Sequence, residues 1–225
     1  MARFDRLTVY NTMLEDGLVP LFYHSDLETA KKVAGALSAG GGRVLEFTNR
    51  GDFAIEVFTP LIKHCAQAHP TLIVGVGSVE DAPTAALYIA HGANFVVGPN
   101  FNEEVARLCN RRKIAYIPGC GSVTEIAQAE EWGAEIIKIF PGSAVGGPGF
   151  VKDVRGPRPW TRLMPTGGVS PDEANLRSWF SAGVAAVGMG SNLVRKEWVQ
   201  AGDFAAIEET MRRTLALIRK IRTEG

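Results

Sequence analysis

A lysine sits in the middle of an otherwise apolar run. Residues 135–140 read Glu-Ile-Ile-Lys-Ile-Phe, and Pro141 follows. Alternate side chains of an extended strand take opposite faces. Ile137 and Ile139 therefore share one face, and Ile136, Lys138 and Phe140 share the other. With the isoleucine pair turned toward packing helices, Lys138 points into the interior. Lysine is almost never fully buried without a partner or a task. Desolvation lowers its pKa and yields a neutral amine. Beside a carbonyl substrate, such an amine forms a Schiff base, whose iminium is an electron sink for C–C cleavage. The plainer reading is a lysine snorkelling at a strand end or paired with a core acid, and this strand alone leaves both open.

A second run bears on that choice. In Arg43-Val44-Leu45-Glu46-Phe47-Thr48-Asn49-Arg50-Gly51, residues Glu46, Thr48 and Arg50 share a face. Leu45 and Phe47 take the helix-packing face, so Glu46 and Arg50 project toward the same interior as Lys138. A carboxylate there can move protons, directly or through a water. A guanidinium can clamp a substrate carboxylate with its bidentate fork. A structural Glu–Arg pair near the rim is the alternative.

Two glycine-bearing turns add an anion preference. Pro165-Thr166-Gly167-Gly168-Val169-Ser170 precedes a helical pattern, and Gly188-Met189-Gly190-Ser191-Asn192 repeats the arrangement. Glycines at such positions let backbone N–H groups approach an anion, although glycine is also the ordinary turn residue. The pair points to a phosphorylated or otherwise anionic substrate. Gly75-Val76-Gly77-Ser78 and Gly98-Pro99-Asn100 read as rim elements able to touch a substrate, or simply as tight turns and a helix cap.

These residues need a scaffold that gathers strand ends. Apolar runs at 18–23, 44–47, 72–76, 95–97, 115–117, 135–140, 163–165 and 186–188 read as strands. Helical patterns lie between them at 26–38, 53–69, 78–91, 102–112, 122–132, 170–182 and 203–222, with a short one near 149–154. Ser122 precedes Glu125 at capping-box spacing. Ser170 is an N-cap candidate ahead of Pro171, Asp172 and Glu173. Gly92, Gly133 and Gly183 close helices. Eight strands alternating with helices predict one (β/α)₈ TIM barrel, a single α/β domain over residues 1–225 with an extra N-terminal helix. An open doubly wound sheet ranks second. In a barrel the chemistry sits at the C-terminal strand ends, and phosphate often binds after strands seven and eight.

Composition agrees with a globular chain. Of 225 residues 46% are hydrophobic, and 24 Lys plus Arg balance 24 Asp plus Glu. Zero formal net charge argues against nucleic acid or a membrane surface as partner. Cys65, Cys109 and Cys120 lack disulfide or zinc spacing, no apolar run spans a membrane, and the N-terminus lacks a signal-peptide core. A cytoplasmic protein is expected. His24, His64, His69 and His91 are scattered and read as surface or packing residues. Trp160, Trp179 and Trp198 are assigned to core or interface. Cys120 reads as a small residue in a tight turn, with an exposed thiol near the mouth as the alternative. Arg155 and Arg158 read as surface residues, with an anion contact as the alternative.

From Leu18 to about Val194 the chain resembles the 2-keto-3-deoxy-6-phosphogluconate (KDPG) and 4-hydroxy-2-oxoglutarate (KHG) aldolases. Glu46-Phe47-Thr48-Asn49-Arg50 is similar to that family's Glu-x-Thr-x-Arg, Lys138-Ile139-Phe140-Pro141 to its Lys-x-Phe-Pro, and Pro165-Thr166-Gly167-Gly168 to its Pro-Thr-Gly-Gly. The resemblance implies that Lys138 forms the Schiff base and that Glu46 is the general acid/base acting through a water. It implies that Arg50 and Thr166 hold the keto-acid carboxylate, that Phe140 packs near the pyruvyl group, and that Gly167, Gly168 and Ser191 line the anion end. It further implies no metal or cofactor and a homotrimer. Ser78 and Pro99 fall in the family's rim motifs, where Ser78 replaces a usual Thr and Gly98-Pro99-Asn100 a usual Ser-Pro-Gly. Gly142 and Gly188-Met189-Gly190-Ser191 also depart, and these loops face the far end of the substrate. A phosphate-binding barrel isomerase or decarboxylase, and a non-catalytic sugar-acid binder, remain alternatives.

Overall fold

Parallel strands wound through amphipathic helices make up about two thirds of the computed structural model, which describes residues 2–224. The strands are β1 (Leu18–Phe22), β2 (Val44–Thr48), β3 (Ile73–Gly77), β4 (Phe95–Val97), β5 (Ala115–Ile117), β6 (Gly119–Cys120), β7 (Ile137–Ile139), β8 (Leu163–Pro165) and β9 (Val187–Met189). The helices are α1 (Arg6–Asp16), α2 (Leu27–Ala39), α3 (Ala54–Ala68), α4 (Ala82–Ala90), α5 (Glu103–Arg112), α6 (Val123–Glu131), α7 (Gly147–Arg155), α8 (Glu173–Ser181), α9 (Lys196–Ala201) and α10 (Phe204–Glu224).

Six strands form one parallel sheet in the order β5-β4-β3-β2-β1-β9, and three form another in the order β6-β7-β8. Crossover helices explain the parallel pairing, since parallel neighbours need a long connection. The result is a parallel α/β fold curled into a half-barrel. Only Pro118 separates β5 from β6, and a bridge between Thr166 and Gly188 links the end of β8 to β9.

Side-chain parity divides the core in two. Leu45, Phe47, Val76, Ile137, Ile139 and Trp179 belong to the layer between strands and helices. Val19, Val44, Ile73, Phe95, Ile117, Ile136 and Met164 form an inner cluster together with Val9, Tyr10 and Met13 of α1. The face alternation read for the strands of Lys138 and Glu46 is the observed one. Helix α1 seats its Tyr10 hydroxyl on strand β5, donating to the Tyr116 carbonyl and accepting from its N–H, both at 3.1 Å.

Caps explain where several helices begin. Ser122 accepts from the Glu125 N–H at 3.3 Å, while the Glu125 carboxylate turns back to the Gly121 N–H at 2.7 Å. Helix α8 starts later than read from the sequence. Asp172, not Ser170, is its N-cap: the Asp172 carboxylate accepts from the Asn175 N–H, while the Ser170 N–H donates to the Asn175 side chain. Gly92, Gly133 and Gly183 adopt positive φ where they close helices. Trp160 stands out of the core, 64% exposed, with the Arg158 guanidinium over its ring. Among the described residues, no helix is long and apolar enough to cross a membrane.

Candidate active site

Strand β7 carries Lys138 into the interior, where the residue is only 5% exposed. Its Nζ lies 4.7 Å from the centre of the half-buried Phe140 ring, a cation–π distance. Strand β2 delivers Glu46, 1% exposed, with Thr48 buried on the same face. Burial holds the Lys138 amine below the usual lysine range. The Glu46 carboxylate opposes that effect, and Arg50 adds to it. Burial pushes the Glu46 carboxyl up, against the pull of Lys138 and Arg50. The three groups thus share one electrostatic site. Among the described residues, the Oε2 of Glu46 has no hydrogen-bond partner, and neither does the buried Oγ1 of Thr166. Unpaired buried oxygens are costly, and catalytic sites are where such costs are kept.

Two glycines make room for these oxygens. A Cβ on Gly77, at the end of β3, would lie 1.7 Å from Glu46 Oε1. A Cβ on Gly188 in β9 would lie 2.2 Å from Thr166 Oγ1. The carboxylate and the hydroxyl therefore pass directly over the neighbouring strand. Arg50 follows β2 and is exposed, with no ion pair among the described residues. Its neighbour Asn49 is fixed twice: the Asn49 N–H donates to the Gly77 carbonyl at 2.8 Å, and the Tyr88 hydroxyl donates to Asn49 Oδ1 at 2.8 Å.

The loops after β7 and β8 are knitted together. The Gly142 N–H donates to the Thr166 carbonyl at 2.9 Å and the Ser143 N–H to the Gly167 carbonyl at 3.1 Å. Asn175 and Asn192 donate to the carbonyls of Gly168 and Val169 at 3.0 and 2.8 Å. Gly167 and Gly168 take positive φ, 95° and 77°, a region open to glycine. Both are exposed, as is Ser191 after β9. Among the described residues, the amides of Gly168 and Ser191 donate to no loop or turn carbonyl.

A cavity of about 440 Å³ opens beside this rim. Arg50 and Ser191 line it, as does Thr48. So do Tyr23 and Lys196, which the sequence did not single out, and His24, which reads from the sequence as a surface or packing residue. Ser78 and Pro99 do not line it. Ser78 follows Gly77 at φ 59°, a left-handed conformation uncommon for a residue with a side chain, and Pro99 is half-buried after β4. Cys120 is buried in β6 with its thiol pushed up to about 12 by desolvation, so it is no exposed nucleophile. Arg155 donates to the Gly183 and Pro159 carbonyls, and Arg158 pairs with Glu130. Both are engaged in the structure rather than free for an anion. Among the described residues, no three of His, Cys, Asp and Glu converge as metal ligands.

Known proteins share this pattern across the chain. The family described as KDPG and KHG aldolase matches residues 9–210. A 2-dehydro-3-deoxy-phosphogluconate aldolase of Pseudoalteromonas atlantica is 35% identical over 88% of this chain and 90% of its own. The KHG/KDPG aldolase of Escherichia coli is 35% identical over 87% of this chain and 89% of its own. Among solved structures, the KDPG aldolase of Legionella pneumophila, with pyruvate captured as a covalent carbinolamine intermediate, superposes with a TM-score of 0.82 at 29% identity, over 90% of this chain and 96% of that one. On this evidence the chain belongs to the KDPG and KHG aldolase family.

Proposed function

We propose that this chain is a class I aldolase that cleaves a 2-keto-3-deoxy sugar acid, or 4-hydroxy-2-oxoglutarate, to pyruvate and an aldehyde through a Schiff base on Lys138. The observation that carries the reading is the buried, amine-favouring Lys138 beside a buried Glu46 whose Oε2 is unpartnered. The neutral amine adds to the C2 carbonyl to give a carbinolamine, and loss of water, with a proton from Glu46, leaves the iminium. Glu46, acting through a water, then takes the C4 hydroxyl proton. The C3–C4 bond breaks, its electron pair moves into the iminium to form an enamine, and the aldehyde departs. Glu46 returns its proton to C3, and hydrolysis frees pyruvate and the amine.

In this reading Arg50 and Thr166 hold the C1 carboxylate and Phe140 packs against the pyruvyl group. Gly167, Gly168 and Ser191 offer amides to the distal anion, while Ser78 and Pro99 form the rim. Two features support a closed barrel of eight strands with α1 as an added helix: the continuity of β5 and β6 across Pro118, and the Thr166–Gly188 bridge. A single domain, a homotrimer and a cytoplasmic location complete the reading, on the family resemblance. The test is pyruvate release from a panel of 2-keto-3-deoxy acids. Wild type releases pyruvate from at least one, and Lys138→Ala releases none. Equal turnover by Lys138→Ala would exclude the mechanism.

A further inference from the structure

The charged side chains that line the cavity beside the rim are all basic. Arg50, Lys196 and His24 line it together with Tyr23, Ser191 and Gln200, and no aspartate or glutamate does. Neither Arg50 nor Lys196 has an ion-pair partner among the described residues. A cleft lined by one sign of charge focuses its field on the opposite sign. Its volume of about 440 Å³ lies in the range of small-molecule sites, roughly 300–1,000 Å³.

Each polar group is a donor. His24 Nδ1 lies 3.0 Å from the Asp26 nitrogen and 3.2 Å from the Asp26 carbonyl oxygen, so this local contact engages Nδ1 rather than Nε2. Lys196 offers a compact, mobile ammonium, suited to a group that must enter and leave. Its helix, α9, buries none of its residues, so packing does not account for a lysine at this position. Thr48, the last residue of the strand that carries Glu46, and Arg50 just beyond it line the same cavity. The cavity therefore shares Arg50 and Ser191 with the rim of the candidate site.

We infer that Lys196, with His24 and Tyr23, forms a side-chain subsite for a terminal anion, a phosphate or carboxylate, on the part of the substrate that leaves as the aldehyde. The inference rests on the aldolase reading above and adds a specificity determinant on α9 to the backbone amides of the glycine loops.

The test compares three six-carbon 2-keto-3-deoxy acids that end in a 6-phosphate, a 6-carboxylate or a 6-hydroxyl. Lys196→Ala should raise KM for an anion-terminated acid at least ten-fold more than for the hydroxyl-terminated one. Lys196→Arg should retain most of the preference. Which of the two anionic substrates suffers more identifies the terminal group. A second arm needs no turnover: inorganic phosphate should raise the melting temperature of wild type and not that of Lys196→Ala. An equal effect on all three acids, or no effect, overturns the inference, as does an unchanged phosphate response in Lys196→Ala. If pyruvate fails to label Lys138, the aldolase reading falls, while the phosphate arm still decides the subsite.

Discussion

Gly77→Ala is a sharp perturbation of Glu46 that removes no reactive group. The added methyl would lie 1.7 Å from Oε1, 2.5 Å from Cδ and 2.8 Å from Cγ of Glu46. Ordinary contact begins at 3.4 Å, so the carboxylate must retreat by about 1.7 Å or the strands must part. Glu46 is 1% exposed and has little room to do either. Misplacing a catalytic group by about 1 Å can cost roughly 10²-fold in rate, and overpacking a core costs about 1–3 kcal/mol. The expected outcome is a kcat lowered about a hundred-fold with a melting temperature lowered by several degrees. The control is Gly75→Ala, two residues earlier on the same face, where the atoms nearest the methyl belong to the Phe95 ring, at 2.4 Å. It should destabilise comparably yet keep its activity per folded molecule. Pyruvate release coupled to NADH oxidation gives kcat, and thermal denaturation gives stability. A Gly77→Ala enzyme with wild-type kcat, or a Gly75→Ala enzyme equally impaired, would refute the claim that Glu46 must stand where Gly77 lets it.

Two further outcomes follow from the same geometry. The rate of pyruvate capture should rise with pH to a plateau reached below the ordinary lysine range, because only the neutral Lys138 amine reacts and burial lowers its pKa. The Glu46 charge raises that pKa, so Glu46→Gln should move the inflection to lower pH; a move upward would contradict the assignment. Tyr10→Phe should cost about 1–3 kcal/mol, read by urea denaturation, because it strands the Tyr116 N–H and carbonyl inside the inner cluster.

Residue alternation carried much of this structure on its own. In β2 and β7 the isoleucine, leucine and phenylalanine pairs went to the helix side, which placed Glu46 and Lys138 inside. Local hydrogen-bonding chemistry fixed the cap at Ser122. It misled at Ser170, whose N–H donates to the Asn175 side chain while Asp172 caps the helix. The room Gly77 makes for Glu46 depends on the register of β2 against β3, which pairs Glu46 with Gly75 and Thr48 with Gly77. No spacing within one segment encodes that. Helix α9 went unread because its residues 196–201 present no buried stripe, and with it went Lys196. His24 looked like an isolated ring until the fold set it on the cavity wall. The site's reacting centre lies on strands, where period two is legible; its periphery lies on loops and a surface helix, where it is not.

The central claim is a covalent bond between substrate and Lys138, and reduction makes that bond permanent. Pyruvate and sodium borohydride are added together, activity is followed, and the labelled peptide is sequenced by mass spectrometry. The account predicts one pyruvyl group per chain, on Lys138 alone, with loss of activity in step. Label on another lysine, or inactivation without label at Lys138, would contradict it.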